Sequence, residues 1–507
     1  MTGNKRATAT HLPQPSQALL VIGCTALGLV LRLGQLGYSY SADDFTNLHG
    51  IGGPTISSVI AFVTSPGVPY PPFYWVMLHF WGKLADGESL MRIPSVVFGV
   101  LTIPMTWLLG KQLFDKRVGI VGALLIAVSP FMIEQSSQIK PHTLMALLTL
   151  LLTFFMVNWI RTNQVMPYLA GYTIFGIISL YTHYHMALII LALNIFALCY
   201  LWKKRPDRLG AWIISQVLVA IAFLPWVPFV LQQITAGVSP TNPLSAFPEL
   251  AITFSTGYTA IAFSSLSLDK VPSLDMVRDN LGILLVLVPV YSTGTVIGIT
   301  KSMRARYNGW LILLGFFAPV LLAFAYAFKV SGANSPKYLI GASIFYYLIL
   351  ALAVTESPQR RLGLGLLAAM LLLSSYSLFN YYFREVEFGR KADWRGLAQY
   401  ITVRSQSDDV VVTAESHAFQ WYYHGGLPVA SFFYMPVGSS VEAEFERAAR
   451  TLGTHSRVWF AESTRASPDP ATPQRVALNW LRTHYMQVAQ VRFNPTLVLY
   501  LFERSSP

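Results

Sequence analysis

Charge is scarce in this chain. Asp, Glu, Lys and Arg make up only 12% of its 507 residues, about half the share a soluble domain carries. Hydrophobic residues supply 53%. Length alone would suggest a few soluble domains, but this composition places most of the chain in a membrane. Cysteine is scarcer still. Cys24 and Cys199 both fall in apolar runs, which excludes a disulfide framework and leaves the redox compartment unread. No Gly-rich phosphate loop, zinc spacing or Ser-His-Asp pattern occurs. A cleavable signal is not expected either: the first apolar run is too long and lacks a small-residue cleavage site, so it reads as a start-transfer helix that stays. Acids are the rarer sign, 24 against 36 bases, for a net charge of +12. The bases are spread over short loops, which makes them topology information and no nucleic-acid surface.

About 20 apolar residues cross a hydrocarbon core. Eleven runs qualify as transmembrane helices, near 15–36, 90–110, 118–134, 143–160, 167–184, 186–202, 210–231, 281–300, 308–328, 338–355 and 362–383. With the N-terminus in the cytoplasm, the inside loops hold fifteen Lys and Arg and the outside segments up to residue 380 hold seven. That asymmetry sets the orientation. The segment 249–268, rich in Ser and Thr, is read as an external interfacial or re-entrant stretch. Counted as a span it would move the basic "KSMRAR" loop outside. Residues 1–383 thus form a transmembrane module whose first external loop is 37–89. The inside loops are short and basic, so chemistry belongs to the outer face.

Beyond Arg384 the pattern changes. "DDVVVTAE", "RVWFAE", "QVAQVRF" and "TLVLYLFER" read as strands. "SVEAEFERAARTLG" and "PQRVALNWLRTHY" read as helices, and "RASPDPATP" reads as a loop. Residues 384–507 are therefore expected to be a small extracytoplasmic α/β domain without a catalytic signature of its own, a lid or docking platform.

Within the outer segments, "YSYSADDFTNLHG" places Asp43 and Asp44 just past the first span. A loop carboxylate is ordinarily only solvated. Here the pair follows the membrane-boundary Arg32, which is costly if it faces lipid, and precedes a long external segment able to fold over it. Adjacent side chains in an extended segment diverge, so one carboxylate acting as a base fits better than a metal clamp. The segment 73–84 is too short to span, and its Trp75 and Trp81 suit the headgroup zone. Lys83 and Arg92 near it are cations at headgroup level. "EQSSQIKPHTL" brings Lys140 and His142 to a turn, "YTHYH" puts two histidines, including His183, at another helix end, and "NSPKY" sets Lys337 and Tyr338 at the tenth. Each alone is ordinary turn polarity or a snorkelling lysine. Together they suit an anionic lipid headgroup, a phosphate or pyrophosphate.

The ordered pattern "RL…DD…PPFYWVMLHFWGKLADGESLMRIPSVVFGVLTIPMTWLLGKQLF" resembles the GT-C superfamily of membrane glycosyltransferases. It is closest to the branch with protein O-mannosyltransferases and the aminoarabinose transferases of lipid A. The similarity is good over about residues 28–200 and weaker through 355, and "KADWRGLAQYI" resembles the segment after the last span in bacterial members. In that family an acidic pair, usually Asp-Glu, supplies the catalytic carboxylate; here Asp44 replaces the Glu. Tyr70 stands where His often precedes Pro-Pro. Lys140 with His142 stands for Arg-x-Tyr, and Lys337-Tyr338 for Arg-Tyr, which keeps charge but loses bidentate phosphate binding. The resemblance implies an inverting transfer of a sugar from a polyprenyl-phosphate donor to a hydroxyl of a protein, lipid or glycan acceptor. Asp43 or Asp44 would be the base; Lys83, Arg92, Lys140, His142, His183, Lys337 and Tyr338 would hold the donor, with no metal or other cofactor demanded. A flippase or transporter of lipid-linked glycans would place polar groups near the midplane, whereas here they lie at helix ends. A non-catalytic scaffold would not need Asp43. No N-x-Ser/Thr sequon occurs, which points to a multi-pass protein of a bacterial plasma membrane.

Overall fold

A helix stands on each of the eleven apolar runs. The computed structural model describes residues 17–65, 70–162, 165–236, 246–261, 274–329, 333–384, 388, 392–413, 416–431, 452, 455–463, 473–494 and 497–504. The first run is α1 (Gln17–Leu33), followed by three short helices, α2 (Ala42–Ile51), α3 (Ile56–Val63) and α4 (Phe73–Gly82). Then come α5 (Glu88–Leu113), α6 (Lys116–Val128), α7 (Pro130–Ser136), α8 (His142–Arg161), α9 (Val165–Thr182) and α10 (Met186–Lys204). The second half holds α11 (Leu209–Phe223), α12 (Val227–Ala236), α13 (Phe247–Thr256), α14 (Leu274–Asp279), α15 (Leu281–Arg304), α16 (Arg306–Ala327), α17 (Ile340–Thr355) and α18 (Arg360–Phe383). Among the described residues seven helices are long and apolar enough to cross a membrane, counting α11 and α12 as one, and α6 with α7 makes an eighth if that bent pair is a single span. The apolar α1 and α17 are shorter. The chain is a multi-pass membrane protein, with fewer full-length spans established than the eleven expected.

The bend in the third run has a clear cause. Pro130 opens α7 and has no N–H to continue the α6 ladder. Ser129 caps the new helix by accepting from the Met132 N–H. The two axes differ by 57°. The orphaned carbonyls of Ile126 and Ala127 at the end of α6 accept from the Arg32 guanidinium, both at 3.1 Å, which also donates to Ser136 Oγ at 3.1 Å. Arg32 therefore does not meet lipid. It is buried against the helix break and holds α7 at its angle.

Helix α17 is apolar all round, and every residue from Ile340 to Ala353 is buried, as a central bundle helix should be. Lipid tails are as apolar as Leu, so close backbone approach between helices supplies much of their attraction. Gly298 of α15 meets the Ile349 carbonyl of α17. The uncertain segment after residue 249 begins as α13, whose ten residues reach about 15 Å. It is too short to span and packs on α7 and α18; residues 262–268 lie outside the described residues.

The C-terminal α/β domain has one sheet, in the order β2-β1-β3-β5-β4, built from β1 (Asp409–Thr413), β2 (Val429–Ser431), β3 (Arg457–Ser463), β4 (Tyr485–Asn494) and β5 (Leu497–Arg504). β1 pairs in parallel with β2 and β3; β5 pairs antiparallel with β3 and β4. The strand period of two divides the core. Val411, Trp459, Ala461, Leu499 and Leu501 pack with Trp394, Leu397 and Phe419 of helices Trp394–Arg404 and Ser416–Tyr422. Val410, Val412, Val458, Phe460 and Tyr500 pack with Leu478 and Leu481 of helix Pro473–His484. The four expected strands and the helix around 473–485 are present. The short β2 was not expected. Most of "SVEAEFERAARTLG", and all of "RASPDPATP" save its final Pro473, lie outside the described residues.

Gly298→Ala puts a methyl group into the Ile349 carbonyl and forces α15 from α17. It is expected to cost about 1–3 kcal/mol, read as a lowered thermal unfolding midpoint in detergent, whereas Gly365→Ala, where a methyl meets open space, should leave the midpoint unchanged.

Candidate functional site

The acidic pair sits on a helix where the sequence suggested an extended segment. Ser41 is the N-cap of α2: its Oγ accepts from the Asp44 N–H at 3.2 Å, and Asp44 Oδ2 accepts from the Ser41 N–H at 3.0 Å and from its hydroxyl at 2.9 Å. This is a capping box, and its Ser-x-x-Asp signature was readable in the sequence. Both acids lie in the first turn, where the helix dipole favours negative charge. Asp44 is therefore engaged. The Asp43 side chain lies outside the described residues; its backbone is the second residue of α2, one turn before Asn47.

Arg92, in the second turn of α5, organises the loop that leads to this helix. Its guanidinium donates to the carbonyls of Leu36 at 2.6 Å, Tyr38 at 2.7 Å and Ser39 at 3.4 Å, and to Asp44 Oδ2 at 3.4 Å. Arg92 is 1% exposed. Its two terminal nitrogens donate to the protein's own oxygens, and among the described residues its buried Nε has no hydrogen-bond partner. One turn further along α2, Asn47 donates to the Ile139 carbonyl at 2.8 Å. Ser95 donates to the next carbonyl, that of Lys140, at 3.3 Å. The acidic helix is thus tied directly to the turn that carries Lys140.

That turn meets two others. Lys140 lies with its ammonium 5.7 Å from the Tyr70 ring centre, and Tyr70 is 6.2 Å from the His183 ring. Tyr338 has the rings of His183 at 5.0 Å, His185 at 5.1 Å and His142 at 6.0 Å around it. The Lys337 ammonium is 5.2 Å from that same Tyr338 ring. Lys140, His142, His183, Lys337 and Tyr338, all expected from sequence, are brought together, and His185 joins them. Lys83 does not: it is exposed at the end of α4, its ammonium over Phe80.

The histidines have defined proton positions. His183 Nδ1 accepts from the His185 N–H at 3.2 Å, so its proton is on Nε2. His185 Nε2 donates to the Ala333 carbonyl at 2.6 Å. His142 Nδ1 meets Gln135 Oε1 of α7 at 2.6 Å. Burial, and then the positive charge of His185, Lys337 and Lys140, push the His183 imidazole well below its ordinary pKa. Burial likewise lowers His185. Neutral histidines keep like charges apart until an anion arrives. Among the described residues no three His, Cys, Asp or Glu side chains gather as a metal site would require.

Sequence reasoning missed the residues that fix these groups: Asn47, Gln135 and the bent α7. Gln135 was visible only as turn polarity, and Asn47 only as a residue one turn after Asp43. Chemically the arrangement offers a buried cationic cradle for an anion, with an acidic helix at its side.

Residues 69–229 match the family model described as dolichyl-phosphate-mannose-protein mannosyltransferase. The matched stretch begins after the acidic pair and includes Lys140, His142 and His183. No curated protein sequence matches the chain. Among solved structures, the chain is similar to ArnT from Cupriavidus metallidurans in the apo state, with 13% identity, a TM-score of 0.55 and coverage of 96% of this chain and 97% of that one. The same protein bound to undecaprenyl phosphate aligns at 12% identity and TM-score 0.51, with the same coverage. AglB, the oligosaccharyltransferase of Archaeoglobus fulgidus, in complex with an inhibitory peptide and a dolichol-phosphate, aligns at 13% identity and TM-score 0.51 over 97% of this chain and 74% of that chain. At these identities the likeness is one of fold, and it agrees with the GT-C resemblance read in the sequence.

Two outcomes are expected. Arg92→Ala leaves Asp44 buried beside three unpaired carbonyls, at a cost of about 3–5 kcal/mol, measured as loss of thermal stability in detergent. Acidification also destabilises the protein. Below about pH 6.5 the unfolded chain protonates histidines that the folded site keeps neutral, so stability falls as pH drops from that value toward the depressed folded pKa. A thermal-midpoint titration from pH 8 to 5 checks the sign, and His183→Gln should flatten its slope.

Proposed function

We propose that the protein is an inverting glycosyltransferase that takes a sugar from a polyprenyl-phosphate carrier and delivers it to a hydroxyl acceptor at the outer face of a plasma membrane. The observation that carries this reading is the convergence of Lys140, His142, His183, His185 and Lys337 around Tyr338, beside the helix that carries Asp43. The positive-inside asymmetry supports placing this end of the bundle outside. The polyprenyl phosphates bound in the two structural neighbours support the donor class. Asp44 is occupied by its cap and by Arg92, so Asp43 is the base in this reading.

The chemistry follows from these placements. A carboxylate at position 43 takes the proton of an acceptor hydroxyl. The acceptor oxygen bonds to the anomeric carbon as the bond from that carbon to the phosphate oxygen breaks. The electron pair goes to the leaving polyprenyl phosphate, whose charge Lys140 and Lys337 stabilise. A phosphate ester leaves without being protonated, so the second carboxylic acid of a glycosidase is not needed. One displacement inverts the anomeric centre.

Purified protein is tested with a panel of polyprenyl-phosphate sugars and hydroxyl acceptors. Asp43→Asn is expected to lower turnover by about 10²–10⁴-fold while polyprenyl phosphate still binds. Lys140→Ala combined with Lys337→Ala should weaken that binding. Full turnover in the Asn variant would refute the assignment of the base, and phosphate binding unaffected by loss of both lysines would refute the cradle.

A further inference from the structure

The acidic helix is held from two sides, and only one of them belongs to the membrane bundle. We propose that Arg395 and Tyr422 of the C-terminal α/β domain are positioning residues, which fix the entry strand of α2 and so set the carboxylate against the cationic cluster. The proposal rests on the transferase reading above.

The contacts fall on a narrow stretch. Tyr422 Oη accepts from the Tyr40 N–H at 2.6 Å, the residue just before the Ser41 cap, and donates to Glu88 Oε1 at 2.9 Å. Glu88 opens α5, the helix that carries Arg92. Arg395 pairs with the same Glu88 oxygen and donates to the Gly37 carbonyl at 3.3 Å, its guanidinium 5.5 Å from the Tyr422 ring centre. Ser39 Oγ donates to the Ala392 carbonyl at 2.9 Å. The domain thus takes up Gly37, Ser39 and Tyr40, while Arg92 takes up Leu36, Tyr38 and Ser39. Together they use polar groups of five consecutive residues, 36–40.

An aromatic clasp adds to this. Phe45, on α2 itself, lies 5.4 Å from Trp421 and 6.3 Å from Tyr422, and Tyr40 lies 5.6 Å from Phe45. Phe45 packs against the same core cluster that joins the sheet to helices Trp394–Arg404 and Ser416–Tyr422. The middle of α2 is fixed independently by Asn47 on Ile139. A domain that served only as a cap over the bundle would have no need to take the backbone N–H that precedes the acidic turn. Catalysis depends on base placement to a fraction of an ångström.

The test uses the full chain with Tyr422→Phe, which keeps the ring and removes one oxygen. Hydrogen exchange of peptides covering 38–45 is expected to rise about tenfold, with the rest of α5 unchanged. With a donor and acceptor that the wild type turns over, kcat should fall about tenfold and the donor KM should stay constant. Arg395→Lys, which keeps the ion pair with Glu88, should retain more kcat than Arg395→Met at equal thermal stability. Unchanged exchange at 38–45 would overturn the proposal. So would an unchanged kcat, a change confined to KM, or equal loss in both Arg395 variants. A wild type inactive with every lipid-linked sugar would overturn the transferase reading instead, while the exchange measurement would still judge the clasp.

Discussion

Arg92 is the interaction on which the rest depends. A buried guanidinium carries a charge that the interior tolerates only where oxygens face it. Four of its contacts come from a single stretch of chain, residues 36–44, and draw it back onto the bundle. The bundle's hold on the loop from α1 to α2 thus centres on one side chain of α5, and the C-terminal domain holds the same loop from the other side. Asp44 completes the arrangement, since it neutralises the cation while closing its own capping box. The pair is a structural one that ties the start of α2 to α5.

The cationic cluster needs a second constraint. Three turns must meet at one end of the bundle, those before α8, before α10 and before α17. The turn before α8 is placed by the bent α7, which exists because Pro130 interrupts a span and Arg32 satisfies the carbonyls left behind. Gln135 then hands this geometry to His142. Two lysines and three imidazoles in a buried space would repel one another if all were charged. Burial lowers the pKa of His183 and His185, which limits the positive charge gathered beside Lys140 and Lys337.

The C-terminal domain is joined to this assembly through the entry strand of α2. Phe45 and Tyr422 pack against the hydrophobic cluster of its sheet, so a shift of the domain would disturb the acidic helix.

Much of this was legible in the chain itself. The apolar runs announced the helices, because a membrane demands about 20 apolar residues of anything that crosses it. The alternating Val, Phe and Leu of 409–413, 457–463 and 497–504 announced strands. Lys140, His142, His183 and Lys337 were each recognisable as polar groups at helix ends on one side. Their meeting was not recognisable, because it depends on which helices pack together across two hundred residues of chain. The pairing of Asp44 with Arg92 was hidden for the same reason: residues 48 apart in sequence pair only once α5 is folded beside the loop. Local sequence determined the elements and their faces, since propensity, capping and hydropathy act within a few residues. Tertiary structure alone decided which charges are partners, because buried electrostatics depends on distance in space, and sequence separation carries none of it.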